Sequence, residues 1–306
     1  MNKIKILSVS LAKERGRKYS ADEIELSENG VVGDVHRGSG NRQVSIIDVS
    51  HIESFRKLTE ARKTEAGEFA ENIRVSGIGN ATIIPFDKFK IGEAELEVTQ
   101  IGKPFHAEFS ELGHYVMPRV GIFCRVSKKG ILKAGDVMQY IPKTYKALII
   151  TLSDRASRGE YEDRSGPVIK EILKDFFHKK KLPHKIKSEI IPDDGNKLKK
   201  LISDAAKEKY DVIITTGGTG IGKRDITVET VQPMLDKEIP GIMEHIRYKY
   251  GSIKPNALLS RGVAGTIDES LVYTLPGSVK AVNEYMNEIL KTLYHLFFML
   301  HGVDVH

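Results

Sequence analysis

Two rhythms of hydrophobic and polar residues divide the chain near Pro142. Before it, apolar residues come in short runs bounded by turn residues, and 4–10, 44–47, 81–86, 93–100 and 122–126 read as strands. Residues 93–99 (EAELEVT) alternate charged and apolar side chains, as a strand with one wet face does. Residues 50–64 carry the clearest helical pattern; Lys128-Lys129-Gly130 and Ala134-Gly135-Asp136 read as turns. Many short strands and few helices predict a mostly-β, closed or nearly closed barrel over residues 1–142. After a hinge at 143–145, strand and helix alternate. Strands are expected at 147–152, 186–191, 212–215 and 271–275, and helices at 166–178, 196–207 and 278–300. This alternation predicts a doubly wound α/β domain over 146–306, built on a largely parallel sheet.

The chemistry concentrates at 211–230, DVIITTGGTGIGKRDITVET. A β-branched strand runs into Gly217, Gly218, Thr219, Gly220 and Gly222, and a helix is expected after Asp225 with Thr227 as its N-cap. Strand, glycine turn and helix together present bare backbone N–H groups to an anion. Asp225 adds a carboxylate able to hold a divalent metal beside phosphates, although a helix cap would also explain it. Gly217, Gly222 and Lys223 approach the P-loop spacing, but Arg224 stands where that motif needs Ser or Thr, so a P-loop-like NTPase is a minor alternative. Ligands of doubly wound folds sit beyond the carboxyl ends of the strands. Here those ends carry Ser153-Asp154-Arg155, Pro192-Asp193-Asp194, the glycine stretch, and Pro276-Gly277-Ser278. Any one of these would be a turn; four together suggest one site.

Composition narrows the setting. The 306 residues, 40% hydrophobic and 29% charged, suit two soluble domains. A net charge of +6 favours anionic small molecules and is too diffuse for a nucleic-acid module. The one cysteine, Cys124, excludes an intrachain disulfide; with no signal-peptide pattern, a reducing cytoplasm is the expected setting. The apolar run at 293–300 is too short to span a bilayer, so no membrane partner is expected.

In the first half, polar residues gather as Gly33-Asp34-Val35-His36-Arg37-Gly38, Asn41-Arg42-Gln43, Glu71-Asn72-Ile73, Gly102-Lys103-Pro104-Phe105-His106 and Met117-Pro118-Arg119. These groups, in this order, resemble the MOSC domain, named for the C-terminal domain of molybdenum cofactor sulfurases. The resemblance implies cofactor binding by Asp34, His36, Arg42, Gln43, Asn72, His106 and Arg119, independent of PLP. Structural histidines and surface arginines are equally open readings of His36, His106, Arg42 and Arg119. Phe105 and Phe109 stand where that family usually carries cysteines. Phenylalanine can neither carry sulfur nor ligate a metal, which argues against sulfur transfer. Cys124, on an expected strand, reads as a buried apolar residue.

In the second half, SDRASRGEYEDRSGP (153–167), TTGGTGIGKRDITVE (215–229), EIPGIMEHIR (238–247), LLSRGVAG (258–265) and LPGSVKAV (275–282) resemble the MogA/MoaB family of molybdopterin adenylyltransferases. The resemblance implies attachment of AMP from ATP to molybdopterin. Asp225 and Asp193 would hold Mg2+, and Ser153, Asp154, Arg155, Asp163, Ser165, Gly217, Gly218, Thr219, Gly220, Glu244, Ser260, Arg261, Pro276, Gly277 and Ser278 would line the phosphate, nucleotide and pterin sites. Asp193 would equally suit a turn, and Glu244 could pair with Arg247 at helical spacing. The resemblance also implies a homo-oligomer, a trimer or a multiple of three, and traffic with other molybdenum-cofactor assembly proteins. A non-catalytic molybdopterin-binding or carrier protein is the main alternative.

Overall fold

The computed structural model describes residues 3–14, 17–59, 64–79, 81–102 and 116–303. The chain forms two compact units, one ending at Lys143 and the other beginning at Thr144.

The first unit contains β1 (Ile4–Leu11), β2 (Tyr19–Ala21), β3 (Glu23–Ser27), β4 (Gly30–Val31), β5 (Val44–Asp48), α1 (Val49–Thr59), β6 (Ile73–Ser76), β7 (Lys88–Ile91), β8 (Ala94–Ile101), α2 (Met117–Val120), β9 (Ile122–Lys128), β10 (Gly130–Lys133) and β11 (Val137–Ile141). Seven strands run in the order β11-β7-β8-β9-β5-β6-β1, and β1 pairs back onto β11 with Ile4 opposite Met138. The ring therefore closes and leaves no strand edge within it. β2 adds to β1 outside the ring, and β10, β3 and β4 form a small second sheet. β5 and β6 are parallel, which a hairpin cannot achieve, and α1 lies on the crossover between them. Ile6, Val44, Ile46, Ile73, Phe89, Leu96, Val98 and Cys124 fill the barrel with no solvent exposure. At Cys124 burial, followed by the charge of Glu97, pushes the thiol pKa up.

Two local expectations need correction. Residues 81–86 form no strand, because the buried Asp87 folds this segment onto itself. Its carboxylate accepts from Ile84 N at 2.8 Å, Tyr140 Oη at 2.8 Å and Lys143 N at 2.7 Å, and Phe86 adopts a φ of 73°. The helix expected at 50–64 is α1, ending at Thr59; residue 64 is not helical, and 60–63 lie outside the described residues.

The second unit contains β12 (Tyr145–Leu152), α3 (Asp154–Ser157), α4 (Ser165–Lys179), β13 (His184–Ile191), α5 (Gly195–Lys207), β14 (Val212–Thr216), α6 (Thr227–Val231), β15 (Lys237–Glu238), α7 (Pro240–Gly251), β16 (Ala264–Ile267), β17 (Ser270–Leu275) and α8 (Val279–Leu300). The sheet order is β13-β12-β14-β17-β16-β15. The first four strands are parallel; β16 and β15 extend the sheet in antiparallel pairing. β14 and β17 are buried at every position, as central strands covered on both faces must be. On one face, Leu148, Ile150, Ile213 and Val272 pack with Leu198 and Ile202 of α5. Tyr145 meets Phe177 of α4 and Phe297 of α8, with ring centroids 5.9 and 5.0 Å apart. Among the described residues, no helix is long and apolar enough to cross a membrane.

Candidate functional site

Parallel strands bring all their carboxyl ends to one edge, and the loops there line two adjoining cavities. The first, about 480 Å3, is lined by Gly218–Gly220, Ser260, Pro276–Ser278, Tyr250, Lys254, Lys280 and Tyr285, among others. The second, about 490 Å3, is lined by Ser153–Arg155, Asp193 and Gly222–Asp225. Gly218 and Asp225 belong to both.

The glycine loop is held by its carbonyls. Gly217 follows β14 with a φ of 99°, and a Cβ there would lie 2.4 Å from the Leu152 carbonyl, so only glycine fits. Thr227 is the first residue of α6 rather than its N-cap, which is Ile226. Its hydroxyl instead donates to Gly217 O at 2.8 Å, and its amide to Gly218 O at 3.0 Å. Arg261 donates through Nε and Nη2 to Gly220 O, at 2.9 and 2.5 Å, and ion-pairs with Glu229. The Arg261 amide reaches Thr219 O at 3.4 Å. The loop carbonyls are thus engaged, whereas the amides of Gly218, Thr219 and Gly220 have no acceptor among the described residues. Unused N–H groups of consecutive loop residues lining a cavity are the makings of an anion-binding concavity. Ser278 caps α8, accepting from Ala281 N at 3.3 Å, so the N-terminus of a 22-residue helix faces the same cavity and reinforces its positive potential.

The carboxylates of the second cavity differ in what they are free to do. Asp154 accepts from Asp193 N at 3.1 Å and from Arg224 Nη1 at 2.7 Å. Asp225 Oδ2 accepts from Gly222 N at 2.7 Å, while its Oδ1 accepts nothing from a described residue. The Asp193 carboxylate faces the Asp154 backbone amide, whose hydrogen bond favours its charged form. Its pKa is raised, first by burial and then by the charge of Asp154, with Asp225 adding to the effect and Arg224 opposing it. Among the described residues, no three His, Cys, Asp or Glu side chains converge as a ready-made metal cage. Two carboxylates lining one cavity, each with an oxygen to spare, still fit Mg2+, which keeps waters and takes phosphate oxygens as its remaining ligands. Arg155 lies over the Tyr161 ring, 5.1 Å from its centroid, at the cavity wall.

Several predicted site residues are engaged elsewhere. Asp163 accepts from Thr151 Oγ1 at 2.7 Å and from Ser165 N and Oγ, both at 3.0 Å, tying β12 to the start of α4; neither Asp163 nor Ser165 lines either of these two cavities. Glu244 is exposed on α7 and away from both cavities, and Arg247 donates to Gly262 O rather than pairing with it. Arg261 lines neither of the two cavities, and its guanidinium is bonded to Gly220 O and Glu229.

In the first unit, Asp34 accepts from Ala12 N, Lys18 Nζ, Asn72 Nδ2 and His36 N. Gln43 binds the carbonyls of Glu28 and Gly38 and the amide of Val126. Asn72 also accepts from Ser45. These contacts knit the barrel internally. The His36 ring leans on Asp34 at 3.1 Å, and Arg42 and Arg119 are exposed. His106, Phe105 and Phe109 lie outside the described residues.

Sequence reading missed Tyr250, Lys254, Lys280 and Tyr285 in the first cavity, and Lys223 and Arg224 in the second. Only Lys223 and Arg224 had a local signal, inside the glycine motif.

Comparison with known proteins bears on both units. A family model described as a probable molybdopterin binding domain matches residues 148–295, and one described as a MOSC domain matches 33–139. Molybdenum cofactor biosynthesis protein B of Bacillus cereus is 41% identical over 164 residues, 52% of this chain and 93% of that protein. A molybdopterin adenylyltransferase of Pyrococcus furiosus is 39% identical over 160 residues, 51% of this chain and 90% of that protein. The crystal structure of tungsten cofactor synthesizing protein MoaB from Pyrococcus furiosus is 38% identical, covers 53% of this chain and 98% of its own, and superposes with a TM-score of 0.46.

Proposed function

The chain belongs, through its second unit, to the molybdenum cofactor biosynthesis protein B family, and from that premise we propose that it adenylylates molybdopterin with ATP. A phosphate oxygen of the pterin attacks the α-phosphorus of ATP. The bond from that phosphorus to the bridging oxygen of the β-phosphate breaks, and pyrophosphate leaves. Both reactants are anions, so the protein's task is alignment and charge neutralisation rather than nucleophilic catalysis.

The reading rests on one observation: Gly218, Thr219 and Gly220 line a cavity with amides that have no protein acceptor among the described residues, while the loop's carbonyls are bonded to Thr227 and Arg261. Amides fixed in this way stabilise developing phosphate charge without reorganising. Asp193 and Asp225 would hold Mg2+, which supplies further charge neutralisation. Lys223 and Arg224 line the same cavity and offer positive charge to a leaving pyrophosphate. The first unit is proposed to hold a molybdenum-containing cofactor, and the assembly to be a trimer or a multiple of three.

The test is direct. Full-length protein is incubated with molybdopterin, ATP and Mg2+, and AMP-linked pterin and pyrophosphate are quantified together. Equimolar formation of the two is expected. Pterin binding without adenylylation would make the chain a carrier; ATP hydrolysis independent of pterin would make it an NTPase.

A further inference from the structure

Tyr285 takes no part in the loop or the carboxylate pair, yet it touches the first cavity from α8. Its ring is 4% exposed, and its hydroxyl donates to Ser260 Oγ at 2.7 Å. Burial, the largest influence on the phenol, pushes its pKa up, with the Ser260 contact and the charge of Arg247 opposing it, so the phenol keeps a proton to give. Ser260 Oγ also lies 3.5 Å from the Gly262 amide, at the limit of a hydrogen bond.

A serine hydroxyl has one proton to give and two lone pairs. When Tyr285 and Gly262 address the lone pairs, the proton is left to donate. Tyr285 apart, no described residue accepts it, and Ser260 faces the cavity that holds the unused amides of Gly218, Thr219 and Gly220. The two groups are also neighbours in space, since the residue after Ser260, Arg261, is bonded through its amide to Thr219 O and through its side chain to Gly220 O.

We propose that Tyr285 is a positioning residue: it fixes the Ser260 hydroxyl as a side-chain donor that joins the glycine-loop amides on one phosphate group of the substrate. Donation from Tyr285 polarises the Ser260 O–H, so the bond it gives to an oxyanion is stronger than that of a free serine. The proposal rests on the anion-binding reading of this cavity and adds to it a residue from a helix distant in sequence.

The test uses full-length protein and inorganic pyrophosphate as the probe, with affinity measured by calorimetry. Tyr285→Phe keeps the ring and removes one hydroxyl; affinity is expected to fall about three- to tenfold, the worth of one hydrogen bond. Ser260→Ala is expected to weaken binding at least as much. The double variant Tyr285→Phe/Ser260→Ala is expected to bind no worse than Ser260→Ala alone, because Tyr285 acts only through Ser260. Multiplying effects in the double variant, or unchanged affinity in Tyr285→Phe while wild type binds, overturns the relay and leaves the site reading standing. A wild-type protein that does not bind pyrophosphate overturns both. A melting temperature for each variant separates loss of fold from loss of the donor.

Discussion

Replacing Arg261 with methionine is expected to weaken anion binding without the side chain ever meeting the anion. The guanidinium grips the glycine loop, giving two hydrogen bonds to Gly220 O and two to Glu229. Its ion pair with Glu229 is partly exposed, 35% and 56% for the two side chains, and is worth at most about 1 kcal/mol. The charged bonds to Gly220 contribute roughly 1.5–3 kcal/mol, part of which water recovers when they are lost. Global stability should therefore fall by only about 1–2 kcal/mol. The larger effect is local. Fixing the backbone of one residue costs about 1–2 kcal/mol, and more at glycine. Without the clamp, ordering of Gly218–Gly220 is deferred until binding. Pyrophosphate affinity should drop by roughly 1.5–3 kcal/mol, about 10- to 100-fold, with a modest shift in the urea midpoint. Glu229→Gln separates the clamp from direct phosphate contact. If Arg261 touched the anion, removing its carboxylate partner would free it and tighten binding. Under the clamp, binding weakens by a few-fold. Tighter binding in Glu229→Gln, or wild-type affinity in Arg261→Met, would refute the reasoning.

Three other outcomes follow from the same geometry. Gly217→Ala should cost about 2–4 kcal/mol in urea unfolding, because a Cβ would lie 2.4 Å from a main-chain oxygen at a φ of 99°; an unchanged midpoint would mean the loop adapts freely. Asp225→Asn should abolish formation of AMP-linked pterin while pterin binding and thermal stability stay near wild type, since Asn Oδ1 can still accept from Gly222 N; full activity would remove Asp225 from metal binding. Burial pushes the Asp34 carboxyl up, but Lys18 and the amides of His36 and Ala12 outweigh it and bring its pKa to about 2. Its folded pKa lies below the unfolded value of 3.8, so this contribution is present above about pH 4 and is lost as pH falls through 2. Asp34→Asn should flatten the stability–pH curve in that window and cost about 3 kcal/mol at neutral pH, by breaking a buried ion pair; urea melts at several pH values measure both effects.

What the sequence determined by itself is local or periodic. The alternation at 93–99, the β-branched run before Gly217 and the strand–helix rhythm after Lys143 depend on neighbours within a few residues, and each survives in the structure as β8, β14 and the parallel sheet. The candidate loops were legible for a related reason: parallel strands must put their carboxyl ends on one edge, so four suspicious strand ends had to meet. Tertiary structure decided the rest. Asp87 undoes the expected strand at 81–86 because partners as distant as Tyr140 and Lys143 need its carboxylate. Asp163 and Ser165 join β12 to α4 instead of lining the two cavities, and Arg261 is bonded to Gly220 O and Glu229 while its neighbour Ser260 lines the site. Tyr285 reaches that site from α8, a helix expected from its sequence but with no local sign that this position would meet a cavity. A side chain's direction depends on partners that folding brings from far along the chain, and no local pattern encodes them.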